Sequence, residues 1–215
     1  MNRELSHRTR FVEHPITRRA QAKLRTRQRL LDAARRLFTE RGYEAATVRD
    51  IAAAADLSTG AVFASFTDKA DLFNEVLIND HQLLAERMAQ LDVEGLSVRE
   101  SLLRLMALAY ERHLDQLGLV QAAISFSWQH DASAETRNRQ GAKLILAFLS
   151  TILARGVERG QLAKTLDVKL TTEMLWDVYL SNYRRAIFDD WDATALLARL
   201  ASQLDILLAG YQAAA

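Results

Sequence analysis

Apolar residues recur at helical spacing along almost the whole chain. Between residues 25 and 43, Leu30, Ala34, Leu37 and Phe38 lie on one face of an amphipathic helix, and Gly42 follows where a left-handed C-terminal cap would end it. The same period supports longer helices over 98–117, 119–130, 133–159, 167–188 and 193–211, with Gly118 as one of the breaks between them. No segment alternates with a period of two, so the pattern predicts an all-α protein of about nine helices.

Two short helices are predicted between residues 47 and 66. Thr47, with Asp50 three residues later, predicts the start of the first one, and Ser58 or Thr59 can cap the second. Thr67 and Asp68 predict the cap of a longer fourth helix. Two short helices joined by a tight turn are typical of a helix-turn-helix, which places its second helix in the DNA major groove.

The composition agrees with helices, and the charge is unevenly distributed. The chain of 215 residues has 34 Ala and 34 Leu against 10 Val and 8 Ile, with one Pro and eight Gly. The net charge of +1 is a sum of two opposed parts: residues 1–67 contain 13 Lys/Arg and 7 Asp/Glu, whereas residues 68–215 contain 15 and 20. A basic front end indicates contact with a polyanion, or else a solvated charged tail.

Several classes of function are excluded or disfavoured. There is no Cys, so disulfides, thiolate nucleophiles and Cys-ligated zinc are excluded. The five His show no metal-ligand spacing, and neither a phosphate-binding glycine loop nor a nucleophile elbow is present. We therefore expect no enzyme activity, cofactor or metal. No apolar run is long enough for a membrane span or a signal peptide, so we expect a cytoplasmic protein without a membrane partner.

Residues 25–73 resemble the TetR family of transcriptional regulators. The resemblance rests on residue types in a fixed order: Arg29, Leu30, Ala33, Ala34, Leu37, Phe38, Gly42, Tyr43, Thr47, Val48, Asp50, Ile51, Ala52, Ala55, Ser58, Gly60, Phe66 and Lys69. It implies a helix-turn-helix DNA-binding domain over 23–70 and a helical effector-binding and dimerisation domain over 71–215. The Arg-rich and irregular residues before both domains predict a flexible basic arm over 1–22.

The resemblance also implies a function. A repressor of this kind binds a palindromic operator in double-stranded DNA as a homodimer and is released by a small-molecule effector, here a hydrophobic or aromatic one. A transcriptional activator remains an alternative. So does a helical binding or scaffold protein that does not read DNA sequence.

The predicted DNA contacts lie on and around the two short helices. Thr47 and Lys69 are expected to meet phosphates; the alternatives are a helix cap at Thr47, which is compatible with the contact, and a solvated surface lysine at Lys69. Phe63 stands where many family members have Tyr and lacks the hydroxyl that would donate to a phosphate, so the basic arm is expected to supply part of the affinity. The predicted set is Arg25, Arg27, Thr47, Val48, Ser58, Thr59, Gly60, Ala61, Phe63, Ser65 and Lys69.

Two further sets are predicted in the C-terminal part. Aromatic, Met and His side chains are candidates for the effector site, although each would also suit an ordinary core: Met106, Tyr110, His113, Phe126, Trp128, His130, Phe148, Trp176 and Tyr179. Apolar stripes on the last two helices are candidates for the dimer interface, unless they bury against their own chain: Leu175, Val178, Leu197, Leu200, Leu204, Leu207 and Tyr211.

Overall fold

The protein is built from α-helices packed against one another. The structure is a computed structural model that describes residues 17–129 and 132–212, with the side chains of 128–140 excepted. Within these residues there are nine helices and no strand: α1 (Arg18–Ala45), α2 (Val48–Ala54), α3 (Thr59–Phe63), α4 (Lys69–Ala89), α5 (Val98–Leu114), α6 (Leu117–Gln129), α7 (Ala132–Glu158), α8 (Val168–Asp189) and α9 (Ala193–Leu208). The predicted all-α class is confirmed.

The helix starts of the N-terminal part lie where capping residues predict them. The Thr47 hydroxyl accepts a hydrogen bond from the backbone N–H of Asp50, and the Asp50 carboxylate accepts one from the backbone N–H of Thr47. These two hydrogen bonds form a capping box before α2. Ser58 caps α3 through the N–H of Ala61, and Asp68 caps α4. Each cap satisfies an amide that the helix itself leaves unpaired.

Helix α1 begins earlier than the apolar pattern indicates. It starts at Arg18 with Thr17 as its cap, so residues 18–22 belong to a helix and not to the predicted arm; residues 1–16 lie outside the described part. Residues 17–25 are all exposed, and a helical segment that buries no face needs no apolar period. The other boundary of α1 agrees better with the sequence, because Gly42 interrupts it with a φ of +74°.

Gly118 has a different role from the predicted one. It lies inside α6, where a Cβ atom would come within 2.0 Å of the Thr39 carbonyl oxygen on α1. The glycine therefore permits a close approach of α6 to α1, rather than ending a helix. A local sequence pattern cannot distinguish these two uses.

Two hydrophobic clusters divide the interior. The first joins α1–α3 and the first half of α4 to three residues of α6, Leu119, Ala122 and Phe126. The second joins the rest of α4 and Val120 of α6 to α5, α7, α8 and α9. Helices α4 and α6 thus connect the helix-turn-helix to the C-terminal part. No described helix is long and apolar enough to cross a membrane.

Candidate functional site

Helices α2 and α3 form a helix-turn-helix fixed to the first hydrophobic cluster. Ile51 of α2, Val62 of α3 and Phe66 after α3 are buried. Between the helices, Asp56 has a φ of +52°, and the N–H of Leu57 donates to the carbonyl of Ala52 over 2.9 Å. This turn positions the five-residue α3 so that a few apolar side chains pack against the core while the rest of its surface stays exposed.

Arg29 of α1 contacts this turn and stabilises it. Its guanidinium donates to the carbonyl of Ala55 over 2.6 Å and lies 3.6 Å from the carboxylate of Asp56. It thereby pairs carbonyl groups that the end of α2 leaves open. The sequence shows Arg29 as a basic residue within the segment that carries the resemblance and gives no sign of its partner at Ala55, so this role was missed.

Most of the predicted DNA-contacting residues are accessible. Thr47, Ser58, Thr59 and Gly60 are exposed, and Phe63 is 58% exposed. Three members of the set are half-buried, Val48, Ala61 and Ser65, while Arg25 is exposed on α1. A Cβ atom at Gly60 would meet only the Ser58 hydroxyl, at 3.6 Å. The outer side of α3 therefore has room for another molecule at Gly60.

Two of the predicted cations are engaged within the protein. Arg27 forms a salt bridge with Glu75, donates to the carbonyl of Ser65 over 3.2 Å, and lies over the ring of Phe66. Its charge is paired with Glu75, so a phosphate would have to compete with that carboxylate for Arg27, and the predicted contact stays a prediction. Long-range partners of this kind are invisible in the local sequence.

Lys69 is also engaged, but its charge is not paired with a carboxylate in the described salt bridges. It donates to the carbonyls of Tyr43 over 3.0 Å and Glu44 over 3.4 Å, and it lies 4.2 Å from the centre of the Tyr43 ring. Burial raises the pKa of Tyr43 to about 12, so the ring stays neutral beneath the cation. An ammonium group has three donors, and Lys69 keeps capacity for an external acceptor.

A buried charged cluster lies between the helix-turn-helix and the C-terminal helices. Asp80 of α4 is 4% exposed and pairs with Arg112 of α5. Arg35 of α1 approaches the same carboxylate to 3.9 Å and donates to Asn79 over 2.6 Å. One carboxylate therefore connects α1, α4 and α5.

His113 extends this cluster to α8. Its Nε2 lies 3.3 Å from Asp80, while its Nδ1 lies 2.7 Å from the Tyr179 hydroxyl and 2.9 Å from the Tyr183 hydroxyl. Burial works against the charged carboxylate, yet His113 and Arg112 outweigh it and hold the pKa of Asp80 well below its usual range. Burial raises the pKa of both tyrosines, so their hydroxyls stay protonated.

The sequence does contain a signal for Asp80. It follows Phe73, Val76 and Leu77 at helical spacing and precedes Leu84, so it occupies an inward position of α4. A carboxylate at an inward position requires a partner. That partner could not be named, because Arg112 lies 32 positions away.

A small cavity adjoins the cluster. It has a volume of about 50 Å³, and its described lining is Leu77, Asp80, His81, His113, Gln116, Leu119, Val120, Ala123, Ile124, Leu180 and Tyr183. His113 is the one predicted effector-binding residue on this described lining. A larger groove of about 520 Å³ lies between the α4–α5 loop and the end of α7, and Glu94, Arg155 and Arg159 on its walls are exposed.

The other predicted effector-binding residues serve as core. Met106, Tyr110 and Tyr179 are fully buried in the second cluster, and Phe148 and Trp176 pack partly buried against it. The side chains of Trp128 and the whole of His130 lie outside the described part.

Phe126 is placed in the other cluster altogether. Its ring lies 4.9 Å from those of Tyr43 and Phe73, in the core beneath the helix-turn-helix. Phe126 is therefore removed from the predicted effector site. Because aromatic residues suit both a pocket and a core, the sequence pattern did not separate these cases.

The predicted dimer stripe faces its own chain. Leu175, Leu200 and Leu204 are 0% exposed, and the four remaining members pack partly buried against the second cluster: Val178, Leu197, Leu207 and Tyr211. Leu175, Leu200 and Leu204 are therefore wrong as interface residues. The uncovered faces of α8 and α9 instead present Leu170, Met174, Phe188 and Ile206, each at least 43% exposed.

Comparisons with known proteins agree with this architecture. Residues 30–76, which span the helix-turn-helix, match the family described as bacterial regulatory proteins, tetR family. The chain is 32% identical over 157 residues to the HTH-type transcriptional repressor KstR2 of Mycolicibacterium smegmatis, covering 70% of this chain and 74% of that protein. It is 40% identical over 76 residues to the repressor AcnR of Corynebacterium diphtheriae, covering 35% and 40%.

A solved structure extends the likeness to the C-terminal part. The transcriptional regulator FadR from Bacillus subtilis, in complex with stearoyl-CoA, superimposes with a TM-score of 0.74 at 23% identity, covering 85% of this chain and 98% of that one. At this identity the likeness concerns the fold. Together with the helix-turn-helix and the repressor relative that matches most of the chain, it shows that this protein belongs to the TetR family of transcriptional regulators.

Proposed function

We propose that the protein is a ligand-responsive repressor that binds a palindromic operator as a dimer. The observation that carries the proposal is the uncovered α3, which Val62 and Phe66 fix to the core while Thr59, Gly60 and Phe63 stay accessible. A recognition helix needs this combination, because its backbone must be rigid and its outer face must reach base edges. The names of the repressor relatives support the same direction of regulation.

Gly60 gives the sharpest test of DNA binding. Its surroundings are open in the free protein, so Gly60→Leu leaves folding intact but places a bulky side chain on the face that approaches DNA. We expect affinity for duplex fragments from the promoter of its own gene to fall at least a hundredfold in fluorescence anisotropy. Gly210→Leu, at another open glycine, is the matched control. Equal binding by the two variants would show that α3 does not enter the groove.

The basic N-terminal segment is proposed to lie along the phosphates. Before position 30 the chain carries nine Lys/Arg against two Glu, and each phosphate neutralised adds about 0.9 to the slope of log affinity against log salt. Deleting residues 2–16 leaves α1 whole and should flatten that slope. An unchanged slope would assign the electrostatic contacts to the helices alone.

Dimerisation is proposed to use the outer faces of α8 and α9. A single helix-turn-helix reads few bases, and a two-fold dimer places two of them roughly 34–36 Å apart. Ile206, 76% exposed on α9, is the most accessible apolar side chain there. Ile206→Glu should give a monomer of 24.3 kDa by sedimentation, whereas Thr151→Glu on the exposed side of α7 should not. A dimeric Ile206→Glu protein would rule out this face.

Ligand response is proposed to act through the buried cluster and α6. Asp80 connects Arg35 of α1 to α5, and α6 carries both the cavity wall and the close contact of Gly118 with α1. A ligand that moves α6 or Asp80 therefore changes the position of the helix that supports α3. Operator affinity would fall by the ratio of the ligand's affinities for the two conformations.

A further inference from the structure

The polar wall of the cavity beside Asp80 contains a buried acceptor with no partner among the described residues, Oε1 of Gln116. We propose that the cavity binds a compact, neutral molecule that donates a hydrogen bond, such as an alcohol or a phenol. The inference deepens the ligand response proposed above and rests on it for its regulatory meaning. The contacts of Gln116, the two tyrosines and Asp80 carry it.

Gln116 supplies an unfilled acceptor. Its Nε2 donates to Asp80 over 3.4 Å. Because an ionised carboxylate can only accept, the orientation of the amide is fixed with Oε1 directed away from Asp80. That Oε1 is buried and has no hydrogen-bond partner in the described structure. A buried acceptor of this kind is stabilised by any donor that reaches it.

The hydroxyl groups near the cavity are already engaged with one another. Nδ1 of His113 lies 2.7 Å from the Tyr179 hydroxyl and 2.9 Å from the Tyr183 hydroxyl, and the two hydroxyls lie 2.6 Å apart. Tyr183, which lines the cavity, still has acceptor capacity toward a ligand, because a hydroxyl oxygen has two lone pairs.

The charges around the cavity disfavour an ionic ligand. Asp80 lines it, and no Lys or Arg does so among the described side chains. Burial lowers the pKa of His81 to about 4, so this wall residue carries no charge at neutral pH. An anion would face the Asp80 carboxylate, and the two arginines paired with that carboxylate do not line the cavity. A cation would join Arg35 and Arg112, which already flank that carboxylate.

The volume limits the ligand to a compact one. The cavity measures about 50 Å³, whereas a single benzene ring occupies an apolar cavity of about 150 Å³. Ile124 of α6 and Leu180 of α8 are only half-buried, so we expect these two side chains to move when a ligand enlarges the cavity. Binding one ring therefore displaces α6 relative to α8.

Four ligands with the same ring test the donor requirement on the full-length protein. Cyclohexanol donates and accepts, cyclohexanone only accepts, cyclohexanecarboxylate is an anion and cyclohexylammonium is a cation. We expect cyclohexanol to bind at least tenfold more tightly than the other three by calorimetry, with a matching rise in Tm. Equal or tighter binding of any of the three, or no binding of cyclohexanol at 10 mM, overturns the proposal.

Two variants of residues that line the cavity test whether Gln116 accepts the hydrogen bond from the ligand. Gln116→Met removes the acceptor at similar volume and should reduce the advantage of cyclohexanol over cyclohexanone to less than threefold, whereas Leu180→Met should preserve it. An undiminished advantage in folded Gln116→Met would overturn the assignment to Gln116. If Gln116→Met does not fold, the four ligands on the wild-type protein still decide the donor requirement.

Promoter binding measured in parallel separates the two proposals. DNA binding without selectivity for cyclohexanol overturns only the ligand class. Selectivity for cyclohexanol without DNA binding overturns the repressor function and leaves the site.

Discussion

The close contact between α6 and α1 makes Gly118 a sensitive position. In Gly118→Ala the new Cβ would lie 2.0 Å from the Thr39 carbonyl oxygen, whereas ordinary contacts begin near 3.4 Å. The two helices must therefore separate by about 1.4 Å, the difference between these distances. Overpacking of this kind costs about 1–3 kcal/mol, and the better helix propensity of Ala returns at most about 1 kcal/mol. Because the clash is with backbone and not with a movable side chain, the upper end of this range applies, and we expect a net loss of about 2 kcal/mol.

Thermal unfolding followed by circular dichroism measures this loss. For a chain of this size, about 2 kcal/mol corresponds to a Tm lower by roughly 4–8 °C. Gly210→Ala is the control, because nothing lies within 4 Å of a Cβ there. Both variants must be compared at one protein concentration, since association also raises Tm. A Gly118→Ala protein as stable as Gly210→Ala would refute the close approach of the two helices.

Three further predictions concern buried groups. Leu204→Glu should cost more than about 3 kcal/mol by placing an unpaired charge in the core, and a fully stable variant in urea titration would contradict the burial of Leu204. The pKa of His81 is about 4 in the folded protein and 6.5 ordinarily. The free energy of unfolding should therefore be constant above pH 7 and decline by about 3 kcal/mol as the pH falls from 6.5 to 4. His81→Leu should flatten this decline, and an unaltered dependence on pH would assign it to other groups. Arg29→Met should cost about 1 kcal/mol by uncapping the turn at Ala55, and an unchanged urea midpoint would show that the turn holds without it.

The helix-turn-helix was predictable because local interactions determine it. The caps at Thr47, Ser58 and Asp68 act within four residues, and the apolar period of α1 selects the face that bears Leu30 and Leu37. Both signals are readable in a short window of sequence. The exposed positions of Thr59 and Gly60 follow from the same short-range geometry.

The candidate ligand site was largely unpredictable because its members are distant in sequence. Asp80, Arg112 and Tyr183 come from three helices, and the sequence indicated only that a carboxylate stood at an inward position. Of the predicted effector-binding residues, only His113 is found on the described wall. Large aromatic side chains fill cores more often than they line cavities, and their spacing looks the same in both places.

The helical class, the helix-turn-helix and the basic front end could be predicted from the residues alone, since propensity, capping and charge are properties of neighbouring residues. Which neighbour each surface meets depends on the packing of distant helices. Leu200 and Leu204 are buried within their own chain, Gly118 permits the close approach of α6 to α1, and Arg27 pairs with Glu75. A helical stripe specifies that a face is covered, and the packing of distant helices specifies what covers it.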